Sequence, residues 1–149
     1  MRIVIQRVSE ASVKIEGEVK SAIQTGFLVL LGIETEDKKD DADYLIQKLI
    51  NLRVFSDTEG KMNLSLVDVK GDILIVSQFT LHAATKKGNR PSYIKAARPE
   101  QAIPLYEYFL SKAKSQFSGK VLSGEFGADM KVALVNEGPI TIIIDSKEP

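Results

Sequence analysis

A chain of 149 residues, 44% hydrophobic and 27% charged, has one domain's length and enough apolar material for a core. It has no cysteine, which excludes disulfides, thiolate nucleophiles and Cys-ligated metals and fits a cytoplasmic protein. Lys plus Arg equals Asp plus Glu, so no overall charge draws it to nucleic acid, and no apolar run is long enough to span a membrane.

The opening "MRIVIQRV" alternates over residues 2–8 and lacks a long apolar segment, so it reads as a first strand and not as a signal peptide. "ASVKIEGEVKSAI" predicts two short strands around Glu16-Gly17. "GFLVLLGI" is continuously apolar and predicts a strand buried on both faces. Asp37 then precedes a helix of about four turns, with Ala42, Leu45, Ile46, Leu49 and Ile50 on one face. A short strand over Arg53–Phe55 and the turn "SDTEGK" follow. "DILIVSQFTL" is a second buried strand, and a long loop broken by Gly88 and Pro91 comes after it.

Pro99 suits the first turn of a second helix whose stripe is Ala102, Leu105, Tyr106, Phe109, Leu110 and Ala113. Pro104 falls inside that pattern, so the helix either starts late or is kinked there. Strands return near Lys120–Ser123, Met130–Val135 and Ile140–Asp145. Between the last two, "NEGP" suits a hairpin-like connection, and Gly138-Pro139 is a candidate cis bond. The sum is an α+β protein of about eight strands in largely antiparallel or mixed sheets with two helices, a single domain over 1–149. The strands around Phe27, Ile73 and Ile142 are apolar on both faces, which points to surplus apolar surface covered between subunits.

Chemistry has few places to sit. His82 is the only histidine, so a Ser–His–Asp relay would run through it and a zinc site would need carboxylates besides. No Gly-rich phosphate loop is present, and no carboxylate pair stands out by spacing. The strand end Ser77-Gln78-Phe79-Thr80 is the best candidate: hydroxyls, an amide and backbone N–H groups could line a site and bind an oxyanion. Taken locally, the pattern is met more simply by Ser77 and Thr80 satisfying nearby backbone groups and Phe79 belonging to the core. Thr80 as nucleophile lacks a base unless His82, two residues on, shares its face of an extended chain. Between Asp72 and Glu100 there is no acidic residue, while Lys86, Lys87, Arg90, Lys95 and Arg98 are present. That stretch reads either as a phosphate-contacting face or as a solvated loop. Locally "FGADM", Phe126–Met130, is a turn before a strand.

Taken together, "MRIVIQRVSEASVKIEGE", "VFSDTEGKMNLSL", "VSQFTL", "KKGNRPSY", "FGADM" and "LVNEGPITI" closely resemble the D-aminoacyl-tRNA deacylase (D-tyrosyl-tRNA deacylase) family from Met1 to about Asp145. The resemblance implies a cytoplasmic homodimer that hydrolyses the ester of a D-amino acid on tRNA, accepts glycine, and so proofreads chirality in translation. It implies no metal and no organic cofactor. Ser77, Gln78, Phe79 and Thr80 would form the catalytic wall, by backbone oxyanion stabilisation with help from the tRNA's neighbouring hydroxyl, or with Thr80 as covalent nucleophile. Gly138 and Pro139 would be a cis tip entering the partner's site, with Glu137 where the family often has Asp. Met130 would bind substrate, and Lys86, Lys87 and Arg90 would bind tRNA phosphates. The competing expectation is a tRNA- or RNA-binding protein without catalysis.

Overall fold

The computed structural model describes residues 1–149. Its spine is β1 (Arg2–Ile15), which runs unbroken where the sequence suggested separate strands at 2–8 and 11–15. After the turn at Glu16-Gly17, β2 (Glu18–Ile23) pairs antiparallel with the second half of β1, and β3 (Gly26–Gly32) with the first half. Then come α1 (Lys39–Asn51), a small ribbon of β4 (Phe55–Ser56) and β5 (Met62–Leu64), and β6 (Asp72–Ser77). The chain ends with α2 (Pro99–Gln116), β7 (Val121–Ser123) and β8 (Lys131–Asp145). The main sheet has the order β2-β1-β3-β6-β7, with β8 along the other edge of β1. It is mixed because α1 and α2 serve as crossovers, which makes the β3–β6 and β6–β7 pairs parallel.

The helices form where their stripes predicted. Ala42, Leu45, Ile46 and Leu49 of α1 are wholly buried, and each large one contributes about 1.5–3 kcal/mol against exposure. Helix α2 starts at Pro99 and continues through Pro104. The hydrogen bond that Pro104 lacks is outweighed by burial of Tyr106, Phe109, Leu110 and Ala113 beyond it. These side chains share the main core with Met1, Ile3, Ile5, Phe27, Ile73 and Ile75.

A second core explains the two-faced strands. Val8, Ala11 and Val13 of β1, Ile23 of β2, and Leu28, Leu74 and Val76 form a separate buried cluster. The pairing of β1 with β8 shifts register between Gln6 and Glu10, and the burial of β1 changes there: Ile3 and Ile5 feed one core, Val8, Ala11 and Val13 the other. The apolar second faces of β3 and β6 are therefore covered within one chain, contrary to the expectation that they await a subunit. Apolar surface is left uncovered on β8, an edge strand whose Ile143 is 66% exposed and whose Val135 is 47% exposed.

Two local readings are corrected. Asn136–Pro139 is no hairpin turn: β8 passes through it and pairs with β1 on both sides, so the segment is an excursion within one strand. The extended run past Ser77 also ends early, because Phe79–His82 is a 3₁₀ turn.

Candidate active site

Strand β6 delivers Ser77 and Gln78 to its C-terminal end, beside Leu31 of β3. The Gln78 N–H still donates to the Leu31 carbonyl at 2.8 Å. Beyond it the chain coils: Leu81 N–H donates to Gln78 O (3.2 Å) and Ala83 N–H to Thr80 O (3.1 Å). Gly32 makes room for this turn, since a Cβ there would lie 2.9 Å from Leu81 Cβ and 3.1 Å from Gln78 O. The N–H groups of Phe79 and Thr80 lead the turn, where no earlier residue of it offers them a carbonyl.

Ser77, Gln78 and Phe79 line one side of an open cavity of about 290 Å³. Phe126–Met130, the segment that reads locally as a plain turn, lines the other, with Leu31, Val76 and Val132 beneath. Met130 is held by Gly124, whose missing Cβ would lie 2.4 Å from the Met130 sulfur. Ser77, Gln78, Phe79 and Met130 are thus brought together as the sequence suggested. Phe126 to Asp129 also line the cavity, although their sequence offered no chemical signal beyond the motif they belong to.

The chemistry available is narrow. Asp129 is the one acidic or basic side chain on the cavity wall; it is 85% exposed and pairs with Lys131 at 3.1 Å, so it faces solvent. Thr80 is not on the wall, and its hydroxyl accepts a 2.5 Å hydrogen bond from the Gln78 amide. His82 does not stand beside it. The imidazole is buried, with Nδ1 3.5 Å from a Glu34 carboxylate oxygen, and the 3₁₀ coil turns residues 80 and 82 to different sides. No nucleophile–base pair exists here, and no group of three or more His, Cys, Asp or Glu side chains could hold a metal ion.

Gly138 and Pro139 lie apart from this cavity in their own chain, exposed at the tip of the β8 excursion. Their peptide bond is cis. Arg7 supports the tip: Nε donates to Glu137 O (2.9 Å) and Nη1 to Val54 O (2.7 Å). Gly138 has φ 131°, a conformation that favours glycine, and the Arg7 guanidinium packs close against its Cα. Arg7 was not singled out from the sequence, where it is one arginine in an alternating strand. Lys86, Lys87 and Arg90 lie in an exposed loop closed by mutual backbone bonds between Ala84 and Ser92 (2.8 and 2.9 Å). Tyr93 ties the base of that loop to the wall, edge-on to Phe79 at 5.0 Å.

A family model described as D-Tyr-tRNA(Tyr) deacylase matches residues 4–145. Curated relatives named D-aminoacyl-tRNA deacylase include one from Christiangramia forsetii, 61% identical over 148 residues and 99% of both chains. Another, from Bacteroides fragilis strain YCH46, is 59% identical over 99% of this chain and 98% of its own. Among solved structures, one described as c-Myc DNA Unwinding Element Binding Protein superposes with a TM-score of 0.92 at 42% identity, covering 97% of this chain and 98% of its own. A probable eukaryotic D-amino acid tRNA deacylase, 18% identical with a TM-score of 0.81 and the same coverage, shares the fold.

Proposed function

The chain belongs to the D-Tyr-tRNA(Tyr) deacylase family, and from that premise we propose how its surfaces divide the work of removing a D-amino acid from tRNA. It is an enzyme, a D-aminoacyl-tRNA deacylase that hydrolyses the ester between the amino acid and the tRNA. The observation that carries the mechanism is the cavity wall itself: a strand end and 3₁₀ turn with leading N–H groups, and no hydroxyl on it hydrogen-bonded to a base. On such a wall the protein's contribution is electrostatic and positional. The Phe79 and Thr80 N–H groups hold the ester oxygen as it becomes an oxyanion, while water attacks the carbonyl carbon. The neighbouring ribose hydroxyl assists the proton transfers, the acyl C–O bond breaks, and the amino acid leaves with tRNA restored.

The exposed tip supplies selection. Two copies of the chain pair so that Gly138 and Pro139 of one reach the cavity of the other, which covers β8's apolar edge at the same time. Their carbonyls hold the substrate's α-amino group while the N–H groups hold the ester. Two attachments on one carbon fix the directions of the other two. A D side chain then points outward, whereas an L side chain meets the backbone of the tip. Glycine has nothing to clash and is cleaved too. Lys86, Lys87 and Arg90 hold phosphates near the acceptor end.

The test is release of amino acid from D-tyrosyl-, glycyl- and L-tyrosyl-tRNA by purified protein, with the L ester spared. Cleavage of the L ester as fast as the D would reject the tip model. The related structure described as a DNA-unwinding-element binding protein favours a second reading, nucleic-acid binding without catalysis. In that case tRNA binds and no amino acid is released.

A further inference from the structure

Strand β8 passes β1 with two shifts of register, a small one between Val8 and Glu10 and a larger one between Gln6 and Val8. Gln6 faces Thr141 and Val8 faces Asn136, so the single residue Arg7 stands opposite the four residues 137–140. An excursion of that length opens the ladder at its base, and the polar groups there need partners from elsewhere. The side chain of Asn136 supplies them. Its Oδ1 accepts the Ile140 N–H at 2.8 Å, and its Nδ2 donates to Thr141 Oγ1 at 3.1 Å and lies 3.4 Å from Ile140 O. One carboxamide thus joins the residue before the excursion to the two residues after it. The joint needs a short planar arm that accepts the Ile140 N–H and also bonds the Thr141 hydroxyl, which restricts the choice of residue.

We infer that Asn136 is a positioning residue for chiral selection: its carboxamide closes the neck of the excursion and so sets where the Gly138 and Pro139 carbonyls stand against the substrate's α-carbon. The inference rests on the tip reading above. Arg7 supports the excursion from β1 at Glu137. Asn136 alone crosses between its two ends, so it controls how far the tip can hinge. Rejection of an L side chain depends on a wall that does not yield. A tip free to hinge by an ångström gives way to the wrong enantiomer while still meeting the right one.

The experiment compares wild type with Asn136→Ala, Asn136→Asp and Thr141→Val on D-tyrosyl-, glycyl- and L-tyrosyl-tRNA, with a thermal melt of each. Asn136→Ala should narrow the D-over-L ratio of kcat/KM about tenfold or more, the worth of one to two hydrogen bonds. Asn136→Asp should restore most of the ratio, because a carboxylate accepts both the Ile140 N–H and the Thr141 hydroxyl proton. Thr141→Val removes the Asn136 contact and a longer one from Gln6 (3.5 Å), leaves the fold's core untouched, and should fall between. Unchanged ratios in both Asn136→Ala and Thr141→Val, even with a lowered Tm, would make the contact purely structural and overturn the inference. So would Asn136→Asp behaving like Asn136→Ala. A wild type that cleaves D and L esters alike would instead sink the tip reading on which the inference stands.

Discussion

Removing the Thr80 hydroxyl separates the two chemistries open to this site. The hydroxyl accepts a 2.5 Å bond from Gln78 Nε2, it has no imidazole beside it, and it is not on the cavity wall. In Thr80→Ala the backbone N–H of residue 80 stays, while the Gln78 amide loses an acceptor in a partly buried setting. That loss is worth about 1 kcal/mol. If all of it reached the transition state, the rate would fall by roughly fivefold, since tenfold corresponds to about 1.4 kcal/mol. A covalent route loses its nucleophile in the same variant, and the rate should then fall by about a thousandfold or more. The two outcomes do not overlap. Single-turnover release of labelled D-tyrosine from D-tyrosyl-tRNA, with a melt to show that the variant is folded, reads the difference. Gln78→Ala should cost a similar small factor, and the double variant little more than either, because both remove one hydrogen bond. A folded Thr80→Ala enzyme slowed by several orders of magnitude, or an acyl group trapped on Thr80 in the wild type, would refute backbone catalysis here.

Replacing Lys86, Lys87 and Arg90 together by Ala should raise KM for tRNA and flatten its salt dependence, by roughly one unit of log–log slope per lost phosphate contact; an unchanged slope would return the loop to solvent. Light scattering should give twice the 16.4 kDa chain mass, and Ile143→Asp on the exposed edge of β8 should shift the protein to monomer with loss of activity; an active monomer would contradict a shared site. Acid stability should depend on Asp41 and Asp145. Burial works against the charged form of each, but hydrogen bonds outweigh it, from Ser146 and the Lys38 N–H to Asp41, and from the Lys147 N–H and Arg2 to Asp145, so both carboxyls sit below their usual value. Their stabilisation is complete above the unfolded carboxylate pKa of about 3.9 and is lost as pH falls through the lower folded values. Asp145→Asn should therefore lower Tm at pH 7 and converge with wild type in strong acid; a gap that stays constant with pH would reject the linkage.

What the sequence disclosed, and what it hid, follows from how local each cause is. The stripe of Ala42, Leu45, Ile46 and Leu49 makes α1, and the apolar runs of β3 and β6 make buried strands, because burial on a fixed period is a local pattern. The 3₁₀ turn was hidden, since "FTLH" has no turn residue; what coils it is the space over Gly32 on another strand. The excursion in β8 was misread for a related reason. Asn-Glu-Gly-Pro has the composition of a hairpin turn, and only the length of β1, which reaches past it on both sides, turns it into a bulge in one strand. The second core was read as surface awaiting a partner because the contacts of Val8, Ala11, Val13 and Ile23 with Leu28, Leu74 and Val76 join strands distant in sequence and leave no mark in composition. The candidate site shows the same division. The SQF wall and the FGADM turn are some fifty residues apart in sequence and meet only through the β6–α2–β7 crossover. As separate motifs they read as a strand end and a turn. One more step is nonlocal in a stronger sense. The tip of β8 and the cavity carry complementary halves of the proposed chemistry, yet they stand apart within the chain. A tip whose positive φ favours glycine, and which is supported by Arg7 and closed by Asn136, is too constrained to be an idle loop. The cavity beside its base, lined by Arg7, Phe55 and Glu137, does not include Gly138 or Pro139. The reading that gives both halves a use is a second copy of the chain, each closing the other's site.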